Sequence, residues 1–319
     1  MASRGDTPPR QRPPLLRRPW RRLSQLLAVG AGLVVGGGLL ALVWPAADRA
    51  SRDSDGTAVS LGPLPNRPIT LLVIGTDADR LGASGNGAAP RGPANSDVLL
   101  LVRVDPRQPL QVLNLPTELA VQLPGQKAPQ ALGALYRRGG VALTADVAAE
   151  LVGLGKGQPD RYLLLTRGAL RQLVDAAGGL ELSPDRTMRY EDKAQKYKID
   201  LQGGLQLLNG AQVEQMVRFR DPASGEAGRR QRQQQAIGGL TQQLRQPGQL
   251  SRLPELVNKL HGSIETNLTD TEALALLAAS LGPTKPIRFA SLSLAPPSKP
   301  DQPLRQLTRD GVMPLWPAP

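Results

Sequence analysis

Five arginines and three acids crowd one stretch of this chain, Gln212–Gln235, which reads QVEQMVRFRDPASGEAGRRQRQQQ. The cations are Arg218, Arg220, Arg229, Arg230 and Arg232, set against Glu214, Asp221 and Glu226. Arg218 and Arg220 flank Phe219, and on a strand that i, i+2 spacing puts both guanidinium groups on one face. The Asp-Pro-Ala-Ser-Gly run that follows has turn chemistry. A helix opening with Gly-Arg-Arg-Gln-Arg-Gln-Gln then returns further arginines towards the same place. Planar, permanently charged forks converging on one site suit phosphate or pyrophosphate. The alternative is a solvated basic helix behind a loop; a strand-borne Arg-Phe-Arg pair argues for the anion site.

Two carboxylates stand at the ends of apolar runs. Asp77 follows ITLLVI (Ile69–Ile74) through Gly75-Thr76, and Asp97 closes Asn95-Ser96-Asp97 ahead of the run Val98–Val104. A lone Asp in such a place most often caps a loop. Two of them near an arginine cluster also suit Mg²⁺, which takes one or two carboxylates together with substrate phosphates. Asp79 competes with Asp77 for that role. The chain has no cysteine, which excludes disulfides, thiolate zinc sites and a cysteine nucleophile. Its one histidine, His261, excludes any mechanism that needs two; followed by Gly262, it reads as a helix-end residue near the C-terminal dipole.

The elements that must position these groups alternate. Strands are expected at Ile69–Ile74, Val98–Val104, Leu110–Leu115, Arg161–Leu165, Leu180–Leu182, Val217–Arg220 and Pro286–Leu294. Helices are expected at Ala142–Leu154, at Arg167–Ala177 with Gly178-Gly179 as its cap, after Gly203–Gly210 to feed Val217–Arg220, from the arginine stretch through Leu244, at Leu253–Ile264 and at Asp270–Leu281. The last carries a capping-box signature, Thr269 with Glu272. Tyr190–Ile199 reads as a polar surface excursion. The sum is an α/β domain, or an α+β one, over residues 68–294, with its sheet order left open.

Ahead of it, residues 1–23 form a Pro- and Arg-rich tail expected to be disordered. Seven arginines and one aspartate there carry half of the formal +12 charge of the 319-residue chain, so the remainder is only mildly basic. Residues 24–44 are uncharged, long enough to cross a bilayer and longer than a secretory signal core. An uncleaved signal anchor is expected, with the arginines holding the N-terminus in the cytoplasm and the body outside the cytoplasmic membrane. Residues 45–67 read as a linker and 295–319 as a Pro-rich tail without clear structure.

The order of these motifs resembles the LytR–CpsA–Psr family of bacterial envelope proteins. The most specific matches are QVEQMVRFRDPASGEAGRRQRQQ, GLQLLNG just before it and YLLLTRGALRQLVDAAGGLEL; GTDADR and NSDVLLLVRVDP follow the expected order. The resemblance implies one transmembrane helix and a single extracytoplasmic domain with a central mixed sheet flanked by helices. It also implies Mg²⁺-dependent transfer of a glycopolymer from a polyprenyl pyrophosphate carrier to peptidoglycan or another envelope acceptor, with pyrophosphate hydrolysis as a side reaction. By the same resemblance Asp77 and Asp97 would hold the metal, one of them doubling as base. Arg218 and Arg220 would grip the pyrophosphate with Arg229 and Arg232 beside them, and an apolar groove would take the prenyl chain.

The chain departs from that pattern where it matters. Asn95-Ser96-Asp97-Val98 stands for Arg-Ser-Asp-Thr, Gly133-Ala134-Leu135-Tyr136 for Asn-His-Ala-Tyr, and Pro116-Thr117-Glu118-Leu119 for Pro-Arg-Asp-Thr. Thr117 thus replaces an arginine that the family places on the pyrophosphate, with Arg80, Arg91, Arg103, Arg137 and Arg138 as substitutes to consider. Two rival readings follow. One is a catalytically weakened relative that binds polyprenyl lipid or wall polymer as a scaffold. The other is nucleic-acid binding through the basic stretch, disfavoured by the topology and by Phe219 being its only aromatic.

Overall fold

Apolar runs covered on both faces make the centre of the molecule. The computed structural model describes residues 63–83, 93–193, 197–282, 286–297, 299 and 302–308. The expected tail at 1–23 and span at 24–44 lie outside them, and no helix among the described residues is long and apolar enough to cross a membrane. Strand β1 (Ile69–Thr76) pairs antiparallel with β2 (Ser96–Val104), which pairs antiparallel with β3 (Gln111–Asn114). Two short strands, β4 (Ala120–Val121) and β5 (Gln130–Ala131), form a separate pair before helix α1 (Leu135–Val152). Then come β6 (Arg161–Leu165), parallel to β1, and helix α2 (Arg167–Ala176). Asp160 fastens the start of the sheet, accepting from Thr70 N at 2.7 Å and from Arg67 at 2.8 Å.

Beyond α2 the chain builds a side structure: β7 (Leu180–Leu182), the hairpin β8 (Met188–Asp192) and β9 (Tyr197–Leu201), and β10 (Gln206–Leu208), which pairs with β7. Helices α3 (Gly210–Arg218) and α4 (Gly225–Leu244) follow, then short α5 (Pro247–Leu250) and α6 (Leu253–Leu260). Strand β11 (Ile264–Thr266), helix α7 (Asp270–Leu281) and β12 (Arg288–Ser291) close the order. The main sheet runs β11-β6-β1-β2-β3-β12 and is mixed, as the α/β expectation requires.

Leu72, Ile74, Leu99, Leu101, Leu113 and Leu164 are fully buried in the sheet and pack with Leu135, Ala148 and Val152 of α1. Each such side chain contributes about 1.5–3 kcal/mol by leaving water. A second core joins Val174, Val213, Met216, Val217 and Phe219 to the side structure, so α2, α3 and α4 share one apolar layer.

Several expectations need correction. Val217–Arg220 is not a strand: Val217 and Arg218 end α3, and Phe219 is its C-terminal cap. The helix expected at Leu253–Ile264 stops at Leu260, because the chain turns extended at His261 and Ile264 starts an edge strand. The excursion at Tyr190–Ile199 is exposed as expected at Tyr190, Glu191, Lys193 and Lys198, but it is carried by the paired strands β8 and β9, and Ile199 is buried. Part of the Pro-rich tail is ordered by main-chain bonds, with Ala120 N donating to Arg305 O at 2.7 Å and Arg305 N to Glu118 O at 2.9 Å.

Candidate functional site

Antiparallel pairing of β1 and β2 sets Thr76 opposite Ser96, which brings Asp77 and Asp97 to the same end of two adjacent strands. Asp77 is buried, and its Oδ1 accepts from Asn95 N at 3.0 Å while its own N–H donates to Asn95 O at 3.2 Å. It therefore does cap the loop. Asp97 is more open, with its side chain 30% exposed. Gly133 lets the chain pass directly behind it: a Cβ there would sit 2.7 Å from Ser96 O and 2.9 Å from Thr117 Cβ.

The arginines are carried by the ends of two helices. Asn209 and Gln212 form a capping box that starts α3, and Phe219, buried in the second core, turns extended and stops it. Asp221 then accepts from Ala223 N and Ser224 Oγ, both at 3.1 Å. The Ala223 N–H above all, with Ser224 and Arg186, holds the Asp221 carboxyl below its usual range. This is the turn the sequence promised. On α4, Arg229, Arg232, Gln233 and Ala236 fall at helical spacing on the buried face.

Arg229 is the junction. Its side chain is 5% exposed and lies 2.6 Å from Glu226, 3.6 Å from Asp97 and 3.4 Å from Thr117 Oγ1. The other oxygen of Glu226 takes Arg220 at 2.8 Å, so Glu226 joins Arg220 to Arg229. Arg230 pairs with Glu118 at 2.6 Å. Arg232 goes elsewhere: buried, it donates to Met216 O at 3.2 Å and to Phe219 O, the last carbonyls around the end of α3. Burial lowers its pKa, and it fastens α4 to the terminus that carries Arg218 and Arg220.

Arg218 belongs to a second network that the sequence reading did not foresee. Glu214, one turn earlier on α3, is buried and receives Arg218 and Arg167 at 3.3 and 3.2 Å, as well as Arg171. Arg167 also pairs with Asp79 at 2.6 Å. Tyr197 lies under the Arg218 guanidinium, 4.3 Å from ring centre to Cζ. Burial raises the Tyr197 pKa, partly offset by Arg218, so the ring stays neutral. The i, i+4 spacing of Glu214 and Arg218 was the available signal. Asp79 thus pairs with Arg167 and Arg171.

Arg229, the residue 3.6 Å from Asp97, has its Nε buried without a partner. Unpaired buried groups are costly and mark where a ligand or ion would complete the structure. Two carboxylates at adjacent strand ends supply hard oxygen donors, and this set fits Mg²⁺ completed by substrate oxygens. Among the described residues no group of three or more carboxylate or imidazole side chains forms a ready-made metal cage.

A family model, the LytR_cpsA_psr family, matches residues 46–299. The chain belongs to that family. Among its relatives is the Enterococcus faecalis polyisoprenyl-teichoic acid–peptidoglycan teichoic acid transferase TagU, 26% identical over 66% of this chain and 65% of that protein. The Bacillus subtilis transferase of the same description, TagV, is 24% identical over 66% of this chain and 52% of that one. A probable cell wall biosynthesis protein, LcpB of Corynebacterium glutamicum, is 30% identical over 54% and 39%. The chain thus spans from about two fifths to just under two thirds of these relatives' lengths. The crystal structure of B. subtilis TagV superposes with a TM-score of 0.61 at 21% identity, covering 76% of this chain and 91% of that one. A LytR-Csp2A-Psr enzyme from Actinomyces oris gives 0.58 at 18%, covering 76% and 86%. Both show the shared LytR_cpsA_psr fold.

Within that fold Arg229 donates to Thr117 Oγ1, and Arg91, one of the substitutes considered from sequence, lies outside the described residues.

Proposed function

We propose that the protein is a cell-envelope transferase that moves a glycopolymer from a polyprenyl pyrophosphate carrier to peptidoglycan or another envelope acceptor, with Mg²⁺ held by Asp77 and Asp97. One observation carries the reading: Arg229 is buried between Asp97 and Glu226 with its own Nε unpaired, and Arg220 stands on the far side of Glu226. Fixed charges in a water-poor site stabilise phosphoryl transfer far better than the same charges in water. The relatives' descriptions as teichoic acid transferases support the same chemistry.

The reaction is a displacement at phosphorus. An acceptor sugar hydroxyl forms the new P–O bond at the sugar-proximal phosphorus, and the bond from that phosphorus to the bridging oxygen breaks. Polyprenyl phosphate leaves with that oxygen, and the hydroxyl proton passes to the carboxylate of Asp77 or Asp97. Arg218, Arg220 and Arg229 hold the two phosphates in line, which demands positioning rather than a protein nucleophile. When bound, Mg²⁺ supplies charge neutralisation at the phosphate oxygens. Water in place of the acceptor gives pyrophosphatase activity. Residues 24–44 anchor the chain in the cytoplasmic membrane, with the catalytic body outside.

Thr117 favours a second reading, a relative that binds the lipid carrier or wall polymer without turnover. The full chain in detergent, given a polyprenyl-pyrophosphoryl oligosaccharide, is expected to release polyprenyl phosphate with Mg²⁺ and not with EDTA. Asp97→Asn and Arg218→Ala should each reduce kcat by about a hundredfold or more. Tight lipid binding with no release in the unmodified chain would replace the transferase with the binding protein.

A further inference from the structure

We infer that a half-open cleft of mixed polar and apolar lining beside the Glu214 network binds the acceptor as an uncharged saccharide; this inference rests on the transferase reading and gives it a second substrate site. The cleft has a volume of about 750 Å³, within the roughly 300–1,000 Å³ of ordinary ligand sites. It lies between the loop after β1, the face of α2 and the start of α3, and its polar lining is Asp79, Arg80, Arg171, Gln172, Asp175 and Asn209.

Charge decides the ligand class. Two guanidinium groups and two carboxylates sum to zero, and Arg171 is already drawn to Glu214 and Asp79. A phosphate entering here would meet the carboxylates of Asp79 and Asp175 as well as the cations. An uncharged polyol meets no such repulsion, because each hydroxyl both donates and accepts. Guanidinium and carboxamide donors interleaved with carboxylate and carboxamide acceptors satisfy neighbouring hydroxyls in both senses.

The walls are fixed before any ligand arrives. Asp175 Oδ1 accepts from Gly210 N at 2.7 Å, and Gln172 Oε1 accepts from Ser263 Oγ at 2.7 Å. A Cβ on Gly210 would fall 2.3 Å from Arg171 O, so α3 starts in direct contact with the α2 backbone. Such preorganisation lowers the entropic cost of binding. Position completes the argument. Asp77 and Asp79 leave the same loop two residues apart, the first holding the start of β2 and the second lining the cleft. Arg171 of the cleft and Arg218 of the proposed pyrophosphate grip share the carboxylate of Glu214. A sugar strand seated here borders the groups that hold the donor, the proximity that transfer requires.

The test follows backbone amide resonances of the ¹⁵N-labelled full chain in detergent during separate titrations with N-acetylglucosamine tetramer and inorganic pyrophosphate. The tetramer is expected to shift Gly168, Gln172 and Ala211, and pyrophosphate to shift the Arg218–Arg229 segment instead. Ala211 is exposed on the cleft wall, so Ala211→Trp should fill the cleft and weaken the tetramer at least tenfold while sparing pyrophosphate. Arg218→Ala should do the reverse. Tetramer shifts elsewhere, unchanged affinity in Ala211→Trp, or pyrophosphate shifts at the cleft amides would each overturn the assignment. Saccharide binding as expected in a chain that never releases polyprenyl phosphate would leave the cleft standing and remove the transferase.

Discussion

At the scale of the residue, the arginines divide by what their forks already hold. Arg229 faces two carboxylates and a hydroxyl and keeps its Nε unpaired, whereas Arg232 donates to main-chain carbonyls. Arg229→Lys keeps the charge but loses the planar fork. Its kcat should fall about 10²–10³-fold with the melting temperature little changed. Arg232→Met orphans carbonyls at the end of α3 and should lower unfolding free energy by about 1–3 kcal/mol. Activity per folded molecule should survive in that variant; a kcat loss matching that of Arg229→Lys would show that Arg232 touches substrate. Sequence exposed the arginine stretch and both acids, because residue type and strand-end position are visible there. It showed Glu214 but hid its meeting with Arg167 and Arg171, which depends on α2 packing against α3.

The elements show why one expectation failed and another held. Val217-Arg218-Phe219-Arg220 alternates apolar and charged residues around a bulky aromatic, which imitates a strand. The capping box at Asn209 and Gln212, together with the i, i+4 pair Glu214–Arg218, instead carries α3 through Arg218. At α7 the box formed by Thr269 and Glu272 was legible, because N-capping is local chemistry. Glu272 also accepts from Arg161 at 2.6 Å, and that bond, ahead of the Thr269 N–H, lowers its pKa. A lowered folded-state pKa contributes stability that is present above the unfolded value of 4.5 and lost as pH falls through the folded one. With the side chain 40% exposed, screening keeps the contribution to about 1 kcal/mol or less. Glu272→Gln should therefore shift the urea midpoint at pH 7, and the gap should narrow as pH falls below 4.5. A gap constant with pH would assign the loss to packing.

For the whole molecule, the mixed class was readable from alternating elements, but the order β11-β6-β1-β2-β3-β12 was not. Strand β11 is three residues long and β12 four, too short for a pattern of period two to stand out. Register between β1 and β2 is what makes a site, since it joins acids twenty residues apart to arginines more than a hundred residues later. The central claim is that this assembled site exchanges one phosphate linkage for another. The direct measurement is ³¹P NMR of the full chain in detergent with Mg²⁺, a polyprenyl-pyrophosphoryl oligosaccharide and a soluble wall-glycan acceptor. The account predicts that the paired pyrophosphate resonances disappear while one phosphodiester and one phosphomonoester grow in equal amounts. Persistent pyrophosphate, or its conversion to two monoesters with acceptor present, would contradict it.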